Sequence, residues 1–283
     1  MTAYATFAGD RAELESADFQ ALATMAYEEA GILLPDSKRE LVRSRLMRRL
    51  RHRDIPCFAD YVQLIARDAQ ERAAAVDALT TNHTSFFREQ HHFTHLADEV
   101  RGEMLKRLHA REKVRIWSAA CSSGEEPYSI AMTLLGADRK AAEAIAATDL
   151  RILATDLSTT VLERARLAQY AAQATASVPD ALARTWVRTR EDRSAIDPLC
   201  ADLIRFKQLN LMGDWPIAGR FDAIFCRNVM IYFDDPTKER LQARLVEKLG
   251  PRGYLYIGHS ERLIGQAAAQ CEPIGQTMYR KKS

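Results

Sequence analysis

Residues 114–135, VRIWSAACSSGEEPYSIAMTLL, decide the fold. VRIWSAA (114–120) is an apolar run of strand length, CSSGEEP (121–127) is a turn of small residues, and YSIAMTLL (128–135) is helix-like. The pattern recurs downstream. LRILATD (150–156) reads as a strand and TTVLERARLAQY (159–170) as a helix. LIRFKQLNL (203–211) and FDAIFCR (221–227) read as strands, and DPTKERLQARLVEKLG (235–250) as a helix ending at Gly250-Pro251. GYLYIGH (253–259) closes the series. Strand alternating with helix predicts an α/β domain, a parallel sheet with helices on both faces.

Upstream the character changes. The first 80 residues read as helices with no convincing strand. Apolar residues recur at helical spacing over 19–30, Pro35-Asp36-Ser37 is a helix start signal, and Val42, Leu46 and Leu50 form a stripe every four residues. Arg45, Arg48 and Arg51 fall on another face. Residues 58–79 supply more helix, and 90–111 read as a helix joining the halves.

Composition bounds the rest. The chain has 283 residues, 47% apolar and 28% charged, long enough for a real core and unlike a disordered or fibrous chain. No run of about 18 apolar residues predicts a membrane helix. Residues 1–10 show no basic and apolar signal regions. The five cysteines, Cys57, Cys121, Cys200, Cys226 and Cys271, have no CxxC spacing, so a reducing cytoplasm is expected. Residues 38–53 (KRELVRSRLMRRLRHR) carry eight Lys/Arg and one Glu, a local +7 within an overall +2, leaving the remainder at −5. Charge confined to one segment speaks of a partner. Nucleic acid fits poorly, because the segment lacks interleaved aromatics and the rest is acidic.

In an open α/β sheet, ligands bind beyond the carboxyl ends of the strands. The loop 118–126 sits there. It is neither G-x-G-x-x-G nor a P-loop. Glu125 and Glu126 would repel a pyrophosphate and suit a cation such as S-adenosylmethionine, with its sulfonium and ammonium; complementing the helix dipole is the other reading. Asp156 ends the second strand, where an acid takes a ribose diol or caps the next helix. Asn210-Leu211 and Asn228-Val229 end two further strands at the same edge. In residues 80–89 (TTNHTSFFRE), Asn82, Thr84 and Arg88 are candidate ligand contacts, or the stretch is a packed linker. His91 and His95 lie four residues apart, but no carboxylate or Cys completes a ligand set at motif spacing, so no metal is expected. Ser118 or Ser122 with His259 lacks a nucleophile elbow.

TTNHTSFFRE (80–89), WSAACSSGEEPYSIAM (117–132), FDAIFCRNVMIYF (221–233) and GHSE (258–261) together resemble, in order, the motifs of the CheR-type chemotaxis methyltransferases. The resemblance implies a small all-α N-terminal domain (1–79) and a linker with joining helix (80–111). A class I Rossmann-like methyltransferase domain follows (112–283), with a small antiparallel β-subdomain inserted at about 171–202. It implies transfer of the S-adenosyl-L-methionine methyl group to glutamate side chains of chemoreceptors, with S-adenosyl-L-homocysteine as product. Cofactor contacts then fall on Asn82, Thr84, Arg88, Glu126 (with Glu125 second), Asp156, Asn210, Leu211, Asn228 and Val229. Arg88 and Tyr232 carry catalysis. The basic helix, through Arg45, Arg48, Arg49 and Arg51, faces the cytoplasmic helical region of membrane chemoreceptors. A monomer is expected, with no nucleic acid and no membrane insertion. Residues 171–202 show weak strand character apart from 185–189, so a receptor-tail site known in some members is not carried over. Residues before Asp18 match no family feature. Methylation of another protein target, or a non-catalytic cofactor-sensing module, are the rival functions.

Overall fold

A computed structural model describes residues 12–283, so the signal reading of 1–10 and most of the unmatched N-terminal stretch lie outside the described residues. The chain forms two compact units, one running to Thr81 with Tyr232–Asp234, the other holding Asn82–Ile231 and Asp235–Ser283.

The first unit is helical: α1 (Ser16–Ala30), α2 (Arg39–His52) after a 3₁₀ turn at Asp36–Lys38, α3 (Phe58–Arg67) and α4 (Ala69–Leu79). The stripe Val42, Leu46, Leu50 is fully buried, joined by Phe19, Leu22, Phe58 and Tyr61. The helix read over 58–79 is divided at Asp68, whose extended backbone starts α4 and whose carboxylate accepts from the Gln70 and Glu71 N–H groups, both at 3.0 Å. The basic face of α2 is partly inward. Arg49 grips the buried Glu71 through Nη2 (2.6 Å) and Nε (2.9 Å), and the Tyr61 hydroxyl donates to the same carboxylate at 2.8 Å. Arg45 closes the end of α4, donating to the Leu79 and Thr80 carbonyls and, at 2.8 Å, to the Thr81 hydroxyl.

The second unit opens with residues 82–90, then one long helix: α5 (His91–His95), a π-helical segment Leu96–Val100, and α6 (Arg101–His109). The sheet follows: β1 (Val114–Ala119), α7 (Glu125–Leu135), α8 (Arg139–Ala146), β2 (Leu150–Asp156) and α9 (Thr159–Leu167). An insertion comes next, with β3 (Gln169–Ala171), α10 (Asp180–Trp186), β4 (Val187–Arg190) and β5 (Arg193–Ile196). The remaining elements are α11 (Pro198–Asp202), β6 (Ile204–Gln208), β7 (Phe221–Cys226), α12 (Asp235–Lys248), β8 (Leu249–Ile257), α13 (Gly265–Gln270), β9 (Cys271–Gly275) and β10 (Met278–Lys281).

The main sheet has the order β6-β2-β1-β7-β8-β10-β9, and its first five strands are mutually parallel. The chain builds outward from β1 through β2 to β6, then crosses to β7 on the other side of β1. The crevice beyond β1 and β7 is therefore the switch point where such sheets bind ligands.

Three readings need correction. The series does not close at β8: β10 and β9 add an antiparallel edge, which the sequence hides because β9 (CEPIG) is short, lacks alternation and carries Pro273, a residue suited to an edge strand. Gly250-Pro251 does not separate helix from strand; β8 begins at Leu249 and bulges against β7, where partners jump from Phe221↔Leu249 to Ala223↔Tyr254. The strand read over 203–211 stops at Gln208. The insertion does hold an antiparallel sheet, β3-β5-β4, starting at Gln169. Its strands are short, polar and half exposed, so periodicity was faint. Trp186 anchors it, wholly buried and donating to the Gly136 carbonyl at 2.8 Å.

Candidate active site

The loop after β1 is shaped by three left-handed residues, Ala120, Ser122 and Gly124 (φ 59°, 49° and 97°). At Gly124 a Cβ would lie 2.8 Å from the Ala165 Cβ, so only glycine lets the loop pass α9 and start α7. The buried Asp156 carboxylate ties two loops, accepting from Ser122 N–H at 2.8 Å and Ser158 N–H at 3.0 Å. Capping of α9 falls to Ser158, not Asp156. The Ser122 hydroxyl donates to the Asn82 carbonyl at 2.9 Å, joining residues 82–90 to the same loop.

Arg227, at the end of β7, is 2% exposed at its side chain. Its Nη1 donates to Glu126 Oε2 at 3.0 Å, and its Nη2 lies 3.3 Å from Glu89 Oε2 and donates to the Arg88 carbonyl. The Ser118 hydroxyl binds the other Glu126 oxygen at 2.7 Å. Glu89 Oε1 accepts from the Asn228 amide at 3.1 Å and from the His259 backbone N–H at 3.2 Å. Glu261 binds the N–H groups of Gly258 (2.6 Å), Met230 (2.8 Å) and Asn228 (3.2 Å), pinning the left-handed turn at Asn228. A side chain at Gly258 would collide with the Asn228 amide.

Electrostatics favour a cation. Glu89 and Glu261 on loops, Asp156 at the end of β2 and Glu125 and Glu126 in the first turn of α7 stand against Arg88 and Arg227. Burial pushes the Glu126 carboxyl up, and Arg227 and Ser118 offset only part of that. Burial also raises Glu125 and Glu261. Glu89 behaves oppositely: burial opposes its charge, but Arg227, Asn228 and His259 outweigh it and hold it at about 2.

Residues 17–80 match the family described as CheR methyltransferase, all-alpha domain, and residues 82–280 match CheR methyltransferase, SAM binding domain. The chain belongs to the CheR methyltransferase family. A probable chemotaxis protein methyltransferase of Rhizobium etli is 43% identical over 262 residues, covering 90% of this chain and 96% of that protein. Chemotaxis protein methyltransferase 2 of Pseudomonas aeruginosa is 42% identical, covering 93% and 92%. The chemotaxis protein methyltransferase of Escherichia coli is 40% identical, covering 95% and 92%. This CheR-family chain is thus a methyltransferase that uses S-adenosylmethionine. The donor set fits that cofactor: buried acids short of counter-charge suit a sulfonium and an ammonium.

Of the expected cofactor contacts, Asp156 ends β2, Glu126 lies in the first turn of α7, Asn210-Leu211 follow β6 and Asn228-Val229 follow β7, while the Asn82 and Arg88 carbonyls are bound by Ser122 and Arg227; Thr84 is half-buried in residues 82–90. Asn210 also makes a local turn, its side-chain oxygen accepting from Met212 N–H at 2.9 Å. Arg88 is half-buried and donates to the His83 carbonyl at 3.1 Å. Tyr232 belongs to the helical unit, where its carbonyl accepts from Leu33 N–H at 2.9 Å. On α2, Arg48 and Arg51 are exposed, whereas Arg45 and Arg49 hold α4.

Sequence reasoning missed Arg227, Glu89 and Glu261, although all three sit inside quoted motifs. The signal was charge at a strand end or turn in an apolar setting. It also mispaired the histidines. A carboxylate does approach two of them: ligand atoms of Glu89, His91 and His92 lie within 4.8 Å of one another, while His95 Nδ1 turns to the Tyr256 hydroxyl at 2.9 Å. Arg227 already supplies a cation to that carboxylate.

Proposed function

We propose that this enzyme transfers the methyl group of S-adenosylmethionine to glutamate side chains of chemoreceptors in the cytoplasm, forming glutamate 5-O-methyl esters. The observation that carries this reading is the similarity to proteins named chemotaxis protein methyltransferase across both units.

The bound cofactor supplies an electrophilic methyl on a sulfonium leaving group. A glutamate acceptor is ionised at neutral pH, so the protein needs no general base. Its tasks are to exclude water and to align the acceptor in line with the methyl. Arg88 orients the incoming carboxylate, and Tyr232 hydrogen-bonds it or the cofactor. Asn82, Thr84, Glu126, Asp156, Asn210-Leu211 and Asn228-Val229 hold the cofactor, with Asp156 on the ribose and the acids on the cationic end. The exposed Arg48 and Arg51 meet the acidic receptor helix, and Arg45 and Arg49 support them by fixing α2.

The test is transfer of radiolabelled methyl to membranes containing chemoreceptors. Label released as methanol by base is the expected result. Label stable to base, or label on another protein, would overturn the glutamate or receptor assignment.

A further inference from the structure

Arg88 lies between two strained residues. Phe87 and Glu89 are both left-handed (φ 52° and 57°), a conformation that non-glycine residues adopt at a cost. The restraints are visible. Phe87 N–H donates to the buried Ser129 hydroxyl at 3.0 Å. The Glu89 carboxylate is held by Asn228, His259 and Arg227. The Arg88 carbonyl itself binds the Arg227 guanidinium. Arg227 is in turn fixed by Glu126, with its guanidinium carbon 5.6 Å from the centre of the Phe93 ring. One buried side chain therefore clamps the backbone of residue 88 to the first turn of α7.

We infer that Arg227 is a positioning residue for methyl transfer: by binding the Arg88 carbonyl and Glu126 together, it sets the backbone from which the Arg88 side chain addresses the acceptor. This rests on the reaction proposed above. Lysine at 227 keeps the charge but cannot reach two separated acceptors with one planar fork. The Arg88 side chain would then wander, and misplacement by about 1 Å can cost about a hundredfold in rate.

The experiment is a double-mutant cycle in the full chain with Arg227→Lys and Arg88→Ala, scoring kcat, both KM values and melting temperature. Arg227→Lys is expected to lower kcat by roughly tenfold to a hundredfold, with cofactor KM within about threefold of wild type. In the Arg88→Ala background its effect should vanish, because the group it positions is gone. Multiplicative losses, or a fall in melting temperature with unchanged kcat, would overturn the inference. If Arg227→Lys does not fold, Glu89→Gln loosens the same clamp from its other side, and the cycle with Arg88→Ala carries the same expectation. Amide exchange over residues 86–89 separates this inference from the reaction it rests on. Faster exchange in the variant supports the clamp even if wild type methylates no receptor, and unchanged exchange contradicts it.

Discussion

Two buried charge clusters in this molecule look alike and differ in one respect. In the helical unit, Glu71 is 1% exposed and every contact is closed: Arg49 takes both oxygens, Tyr61 shares one, and Arg53 lies 3.5 Å away. Burial pushes its carboxyl up, yet those partners win and hold it below the ordinary range. In the sheet unit, one guanidinium serves two carboxylates. Arg227 Nε and Glu89 Oε2 have no hydrogen-bond partner, and the Glu126 carboxyl is driven up. The first cluster is complete and acts as a fastener. The second holds more negative charge than its own cations balance, which suits a positive ligand.

Breaking the closed cluster gives the largest effect on stability. Glu71→Ala strands Arg49 and the wholly buried Tyr61 hydroxyl, and should lower unfolding free energy by about 2–3 kcal/mol in a denaturant melt. Cofactor affinity should stay at the wild-type value; a matching loss of affinity would erase the distinction between the clusters.

Acid sharpens the same contrast. His92 is fully buried, and burial together with nearby Arg227 lowers it to about 3, so the fold keeps it neutral while the unfolded chain protonates near 6.5. Stability is therefore lost as pH falls below 6.5. Glu89, held at about 2, adds stability above 4.5 that is lost as pH falls from 4.5 toward 2. All three tryptophans, Trp117, Trp186 and Trp215, lie in the sheet unit. Denaturant midpoints read by tryptophan fluorescence should decline between pH 7 and 5, and His92→Gln should flatten that decline. A decline as steep in His92→Gln as in wild type would contradict the assignment.

The smallest effect belongs to the surface. Reversing the exposed Arg48 and Arg51 to Glu should raise the receptor KM severalfold at low salt and less at 0.5 M salt, with kcat unchanged. A kcat effect would move these arginines out of an encounter role.

Much of this was legible in the sequence because it follows from periodicity and chain order. Four of the five parallel strands, β1, β2, β7 and β8, were read because buried strands carry apolar runs, and β2 was placed to the residue, whereas the exposed edge strand β6 (IRFKQ) was read too long. The insertion was only faintly legible: Gln169–Ala171 and Val187–Arg190 are polar strands that bury little. The C-terminal hairpin escaped because its strands, CEPIG and MYRK, are short and show no alternation of apolar and polar residues. Asp156 and the acids of α7 were singled out from their places at strand end and helix start, and the structure has them at the end of β2 and in the first turn of α7. Arg227 and Glu261 were passed over because their importance comes from long-range contacts, to Glu126 across 101 positions and to Asn228 across 33. No local pattern encodes such distances.

The most direct test of the open cluster is calorimetric titration of S-adenosylmethionine into Glu126→Gln, with Glu125→Gln and Glu71→Ala alongside and melting temperatures measured on each. Neutralising Glu126 removes a charge that burial already disfavours, so its melting temperature should hold or rise while the cofactor Kd increases about tenfold or more. Glu125→Gln should weaken binding less, and Glu71→Ala not at all. An unchanged Kd in Glu126→Gln, with a melting temperature that falls as it does in Glu71→Ala, would show that the second cluster is a fastener like the first.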